Sequence, residues 1–132
     1  MAKTSGRRLS PSEAEKFLRL AREAFERSGF VAGSPSNTSQ DFQELGMYGS
    51  EEQMDAVRKA LNEISKSDYC GPDPPKHISR EPKCAGERMI QFSWTSTCFG
   101  DKRAKMYLKY CIKDNRFILL RIHPDWRAGT KL

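Results

Sequence analysis

The run Met106–His123, MYLKYCIKDNRFILLRIH, decides the fold of this chain. Aromatic and branched side chains fill both halves and Asp114-Asn115 divides them, so the run reads as a β-hairpin. Two registers compete. With a two-residue loop at Asp114-Asn115, Lys113 faces Arg116, Tyr110 faces Leu119 and Leu108 faces Arg121, so charge breaks the apolar faces. With a three-residue loop, Asp114-Asn115-Arg116, Lys113 faces Phe117 and every later pair moves by one. Ile112 then meets Ile118, Tyr110 meets Leu120 and Leu108 meets Ile122, all on one apolar face. Cys111 with Leu119, Lys109 with Arg121 and Tyr107 with His123 share the other. A one-residue slip exchanges the faces. Burying charge costs more than placing Arg116 at a position that favours positive φ, so the three-residue loop is the expected register.

Upstream of the hairpin, Ile90, Phe92 and Trp94 alternate with Met89, Gln91 and Ser93, which predicts a third strand. Two amphipathic helices precede it. Ser10, Pro11 and Glu13 form a capping box with proline at the first helical position, and Ala14, Phe17, Leu18, Ala21 and Phe25 recur at helical spacing up to the stop at Gly29. Ser50 and Gln53 suggest a second box before Met54, Val57, Leu61 and Ile64, a helix of about residues 51 to 65. A short helix is expected from Gln40 to Leu45, ended by Gly46. The Gly-, Ser-, Asn- and Thr-rich residues from 30 to 40 read as a loop. Helices followed by strands predict one α+β domain over residues 1–132. An antiparallel sheet of at least three strands, within 88–126, is covered on one face by two main helices within 10–66. Residues 1–9 read as a basic tail, 67–87 as a proline-rich loop and 127–132 as a second tail.

The composition narrows the classes. At 132 residues, with 30% charged and 37% hydrophobic side chains, the chain suits one soluble core. No run approaches the ~18 apolar residues of a membrane span. A net charge of +6 favours anionic partners, nucleic acid among them. Cysteines at 70, 84, 98 and 111 contain no C-x-x-C pair, which speaks against a structural zinc site. Met1–Ser10 is basic and polar without an apolar stretch, so no secretory leader is read there. Reduced thiols and a cytoplasmic setting are the expectation.

On the hairpin's polar face Tyr107, Lys109, Arg121 and His123 form a square, and Gln91 joins it if the third strand pairs alongside. This set suits RNA cleavage without a metal or organic cofactor. The reaction needs a base for the 2′-OH, cations for the phosphorane and an acid for the leaving 5′-oxygen. His123 is a base or an acid, and Lys109 and Arg121 hold phosphate, Arg121 through a bidentate contact. Tyr107 and Gln91 donate to phosphate or read a base. Lys105 and Lys83 complete the substrate-binding set; Lys83 shares the basic loop with Lys76, His77 and Arg80. The plainer reading makes Lys109 and Arg121 the solvated side of a half-covered sheet.

Three segments resemble the MqsR-type messenger RNA interferase toxins. Ala60–Tyr69, ALNEISKSDY, followed by a proline-rich loop, resembles that family's L-x-x-L-x-x-x-D-Y/F-Y passage. Met106-Tyr107-Leu108-Lys109, continuing to Leu119–Pro124, looks like its v-Y-I/L-K-l … v-x-I-S-F-H/K-e ending, and Ile90–Trp94 falls where it has a tryptophan-containing strand. The likeness covers about residues 41 to 126. It implies a RelE-like α+β fold, a toxin-like endoribonuclease acting on messenger RNA, free or ribosome-bound, and a cognate antitoxin. By the same resemblance Tyr107 falls on the active-site tyrosine, His123 on the C-terminal His or Lys, and Gln91 near a site glutamine. The chain departs from the family after Tyr69, where Cys70 and Gly71 replace a frequent lysine, and at Arg121-Ile122, where the family has Ser-Phe. The alternatives are a non-catalytic RNA- or protein-binding module using the same face, and an immunity-type protein that binds an acidic partner.

Overall fold

Ser10 lies in extended backbone, and its hydroxyl accepts from the Glu13 amide at 3.2 Å while the Glu13 carboxylate accepts from the Ser10 amide at 2.8 Å. With Pro11 at the first helical position this box starts helix α1, Pro11–Ser28. The structure is a computed structural model and describes residues 9–33, 35–70, 87–97 and 104–124. Gly29, at φ 72°, ends α1 and donates to the Phe25 carbonyl at 2.7 Å, a conformation that glycine adopts without a Cβ penalty. Strand β1, Phe30–Ala32, follows, then helices α2, Pro35–Glu44, and α3, Ser50–Glu63, and a 3-10 turn at Lys66–Asp68. Strands β2, Ile90–Ser96, β3, Ala104–Lys113, and β4, Arg116–Pro124, complete the described elements.

The fold is α+β, as the helix and strand patterns imply, but its sheet is mixed. The strand order is β1-β4-β3-β2, with β1 parallel to β4 and the other pairs antiparallel. Two elements therefore occupy a stretch expected as loop. β1 is only three residues long, too short to show an alternation, and its pairing with β4 spans most of the chain. α2 begins at Pro35 rather than near Gln40. The expected cap at Ser50 is also displaced. Gly49 takes the cap position without a side-chain bond. In its place the Glu52 carboxylate accepts from the Tyr48 amide at 3.2 Å and the Gln53 side chain donates to the Met47 carbonyl at 3.2 Å.

The hairpin corrects the expected register in an instructive way. Asp114 and Asn115 both have positive φ, 54° and 62°, and Lys113 faces Arg116. This is the two-residue turn whose twist suits a hairpin. Near the turn Ile112 pairs with Phe117, Cys111 with Ile118 and Tyr110 with Leu119, which replaces the expected partners. The register then shifts between Lys109 and Tyr110, and the far end pairs Lys109 with Arg121, Leu108 with Ile122 and Tyr107 with His123. A bulge that leaves Leu120 between two paired residues keeps Arg121 off the core. Replacing Asn115 with glycine should relieve one positive-φ residue and stabilise the fold by about 0.5 kcal/mol. Urea unfolding checks this, and a destabilised variant would contradict the turn.

One face of the sheet carries the main core. Phe92, Trp94, Met106, Leu108, Tyr110, Phe117, Leu119 and Ile122 pack there with Leu18, Ala21 and Phe25 of α1 and Val57, Ala60 and Leu61 of α3. Arg22 crosses from α1 and donates to the Leu61 and Ile64 carbonyls at 2.8 and 2.7 Å, partnering groups that a helix end leaves open. The buried Tyr110 hydroxyl donates to the Phe17 carbonyl at 3.0 Å. Burial pushes that phenol well above its ordinary range. Among the described residues no helix is long and apolar enough to cross a membrane.

Candidate active site

Strand pairing carries the polar face of the sheet across three strands. Gln91, Lys109 and Arg121 form one row, Ser93, Tyr107 and His123 the next, and Thr95 faces Lys105 beyond them. The structure thus brings together five of the seven expected site residues in two adjacent rows, with Lys105 at the margin. Lys83, like Lys76, His77 and Arg80, lies outside the described residues.

Tyr107 and His123 are in ring contact, with centroids 5.1 Å apart and planes tilted by 32°. Directly opposed residues on neighbouring strands come this close because their side chains leave the same face. His123 is 8% exposed, and its Nδ1 lies 2.6 Å from the Pro124 carbonyl oxygen. A carbonyl can only accept, so Nδ1 is the donor in this contact. Gln91 is equally buried, whereas Tyr107, Lys109 and Lys105 are partly exposed.

Arg121 is held by a partner that the sequence patterns do not single out. Asp41 of α2 is 1% exposed and receives Nη2 of Arg121 on Oδ1 at 2.8 Å and Nε on Oδ2 at 2.9 Å. Its Oδ2 also accepts from the Ile122 amide at 3.0 Å. β1 stops opposite Leu119, so the edge of β4 would expose that amide; the carboxylate takes the place of the missing strand. The hydrogen bonds that Arg121 donates to Asp41 raise its pKa above the ordinary value, against the opposing effect of burial. The negative charge of Asp41 acts in the same direction, with smaller contributions from Tyr107 and Glu44. A signal for Asp41 exists in the sequence. An acid sits beside Phe42 on the apolar side of a short helix and requires a cation, and Arg121 is the first charge after four apolar residues.

Toward the turn the same sheet face becomes apolar, with Met89, Cys111, Ile118 and Leu120 buried together and Val31 packed against them. Cys111, expected as a reduced thiol, is disulfide-bonded, while Cys70 is a thiol. The partner cysteine of Cys111 lies outside the described residues. Gly33 closes this side: it donates to the Leu119 carbonyl at 2.8 Å, and a Cβ there would fall 2.6 Å from Leu120 Cδ2. Among the described residues no three His, Cys, Asp or Glu side chains converge as metal ligands do.

Comparison with protein-family models, with curated proteins and with solved structures found no match.

Proposed function

We propose that this chain is a toxin-like endoribonuclease that cleaves messenger RNA by side-chain acid–base chemistry alone. The observation that supports the reading is the Tyr107–His123 ring contact, with Nδ1 of His123 donating to the Pro124 carbonyl. In this scheme Nε2 takes the proton of a ribose 2′-OH as that oxygen bonds to the adjacent phosphorus. The P–O5′ bond breaks, and the Tyr107 phenol gives its proton to the departing oxygen. The products are a 2′,3′-cyclic phosphate and a 5′-OH, and solvent resets the imidazolium and phenolate. Lys109, with Arg121 beside it, faces the charge that grows on phosphorus, and Gln91 contacts phosphate or base. The substrate is free or ribosome-bound messenger RNA in the cytoplasm, and a cognate antitoxin controls the enzyme by covering this face. Cytoplasmic thiols oppose a disulfide at Cys111, so alkylation of thiols before lysis would report its state there.

The Arg121–Asp41 pair and the burial of His123 favour a second reading, in which the same basic face binds RNA or protein without cutting. Incubation of the purified chain with messenger RNA, with and without ribosomes, separates the two. Cleavage leaving cyclic phosphate ends is expected. Binding without cleavage under both conditions would establish the second reading.

A further inference from the structure

The Arg121 guanidinium is engaged by Asp41 along one edge only, through Nε and Nη2. Among the described residues Nη1 makes no hydrogen bond, and the side chain keeps 33% of its surface exposed. Arg121 stands opposite Lys109 and two residues along β4 from His123. A planar fork clamped on its inner edge can turn only its outer edge toward a ligand, and an arginine so fixed loses little rotamer freedom when it binds.

The geometry points to Asp41 as a positioning residue, which presents the outer edge of Arg121, together with Lys109, to one phosphate of an RNA backbone. This rests on the reading of the face as an RNA site and deepens it by naming what fixes the phosphate contact. It also reverses an expectation from charge alone. Removing a carboxylate from an RNA-binding face makes the face more positive and should tighten binding. If Asp41 positions Arg121, removing its charge must weaken binding instead.

The test uses the full chain and a fluorescein-labelled 2′-O-methyl RNA oligonucleotide, which binds without being cut, titrated at several salt concentrations. Asp41→Asn is expected to weaken binding roughly tenfold, the scale of one hydrogen bond to a charged group. The slope of log affinity against log salt should also shrink by about 0.7, the value for neutralising one phosphate fewer on a single strand. Arg121→Lys guards against a misfolded Asp41 variant: it keeps a cation for Asp41 but has no outer edge, and the same weakening is expected with circular dichroism unchanged. If Asp41→Asn is folded and binds as tightly as wild type or more tightly, the pair is only a structural tie. The positioning role then falls while the RNA reading stands. If Asp41→Asn does not fold, an Arg121→Lys variant with wild-type affinity overturns the role. A wild-type chain that binds no RNA removes both.

Discussion

Replacement of His123 by asparagine should lower the rate of RNA cleavage by about 10²- to 10⁴-fold, the usual worth of a positioned general base. Asparagine is the informative choice. Its amide can still donate to the Pro124 carbonyl, as Nδ1 does at 2.6 Å, so the local backbone contact survives. What it lacks is a lone pair that takes a proton at the Nε2 position. His123→Ala removes both and should cut no faster. Tyr107→Phe keeps the ring contact at 5.1 Å and loses only the phenol, so its deficit belongs to proton donation, at about 10²-fold on the same scale. Affinity for uncleavable RNA should change little in all three, since Lys109 and Arg121 remain. Single-turnover cleavage beside equilibrium binding gives the answer. His123→Asn cleaving like wild type would end the assignment of His123 as base.

The elements that could be read from the sequence are those whose determinants are local. The box of Ser10 and Glu13, the proline at 11 and the glycine at 29 all belong to one helix or its caps and act on that helix. β2 shows its alternation of apolar and polar residues from Ile90 to Thr95. The elements that escaped depend on distant partners. Phe30–Ala32 is a strand only because Phe117–Leu119 lies beside it. The hairpin shows the same limit within eighteen residues. A two-residue turn and an uncharged core conflict for any uniform register. A bulge at Leu120 satisfies both, by using one register on each side of itself. The polar square was legible because it lies beyond the bulge, where the expected and observed pairs coincide. Asp41 was legible only as an acid in need of a cation; its tie to Arg121 and the Ile122 amide arises where β1 ends and β4 continues, a fact of topology. The expected phosphate grip of Arg121 changes accordingly: part of its hydrogen-bonding capacity is committed inward before any ligand arrives.

Glu63 is a second residue whose importance comes from topology, and its removal should produce the largest change in stability. It is the last residue of α3. Its Oε1 accepts from Trp94 Nε1 at 2.9 Å and Ser96 Oγ at 2.7 Å, and its Oε2 from the Thr97 amide and hydroxyl, both at 2.8 Å. One carboxylate thus ties the end of α3 to the end of β2. Trp94 and Ser96 are almost wholly buried, so Glu63→Ala leaves donors that water reaches poorly. A cost of about 3 kcal/mol is expected for such unsatisfied groups, a fall in Tm of roughly 10 °C for a chain of this size. The pH dependence gives an independent check. Burial raises the Glu63 pKa, but the bonds from Ser96, Trp94 and Thr97 outweigh it and lower the carboxyl from 4.5 to about 2. The folded value lies below the unfolded one, so this contribution is fully present above pH 4.5 and is lost as pH falls from there toward 2. Glu63→Gln keeps one acceptor oxygen, cannot titrate, and sets an amide N–H₂ against donors. It should therefore be less stable than wild type at neutral pH, and the gap should narrow through that acid window. Every other carboxylate cancels in the difference between the two chains. Urea unfolding of both proteins from pH 7 down through the window measures it, and two stability curves that stay parallel would show that Glu63 is not the group these donors hold ionised.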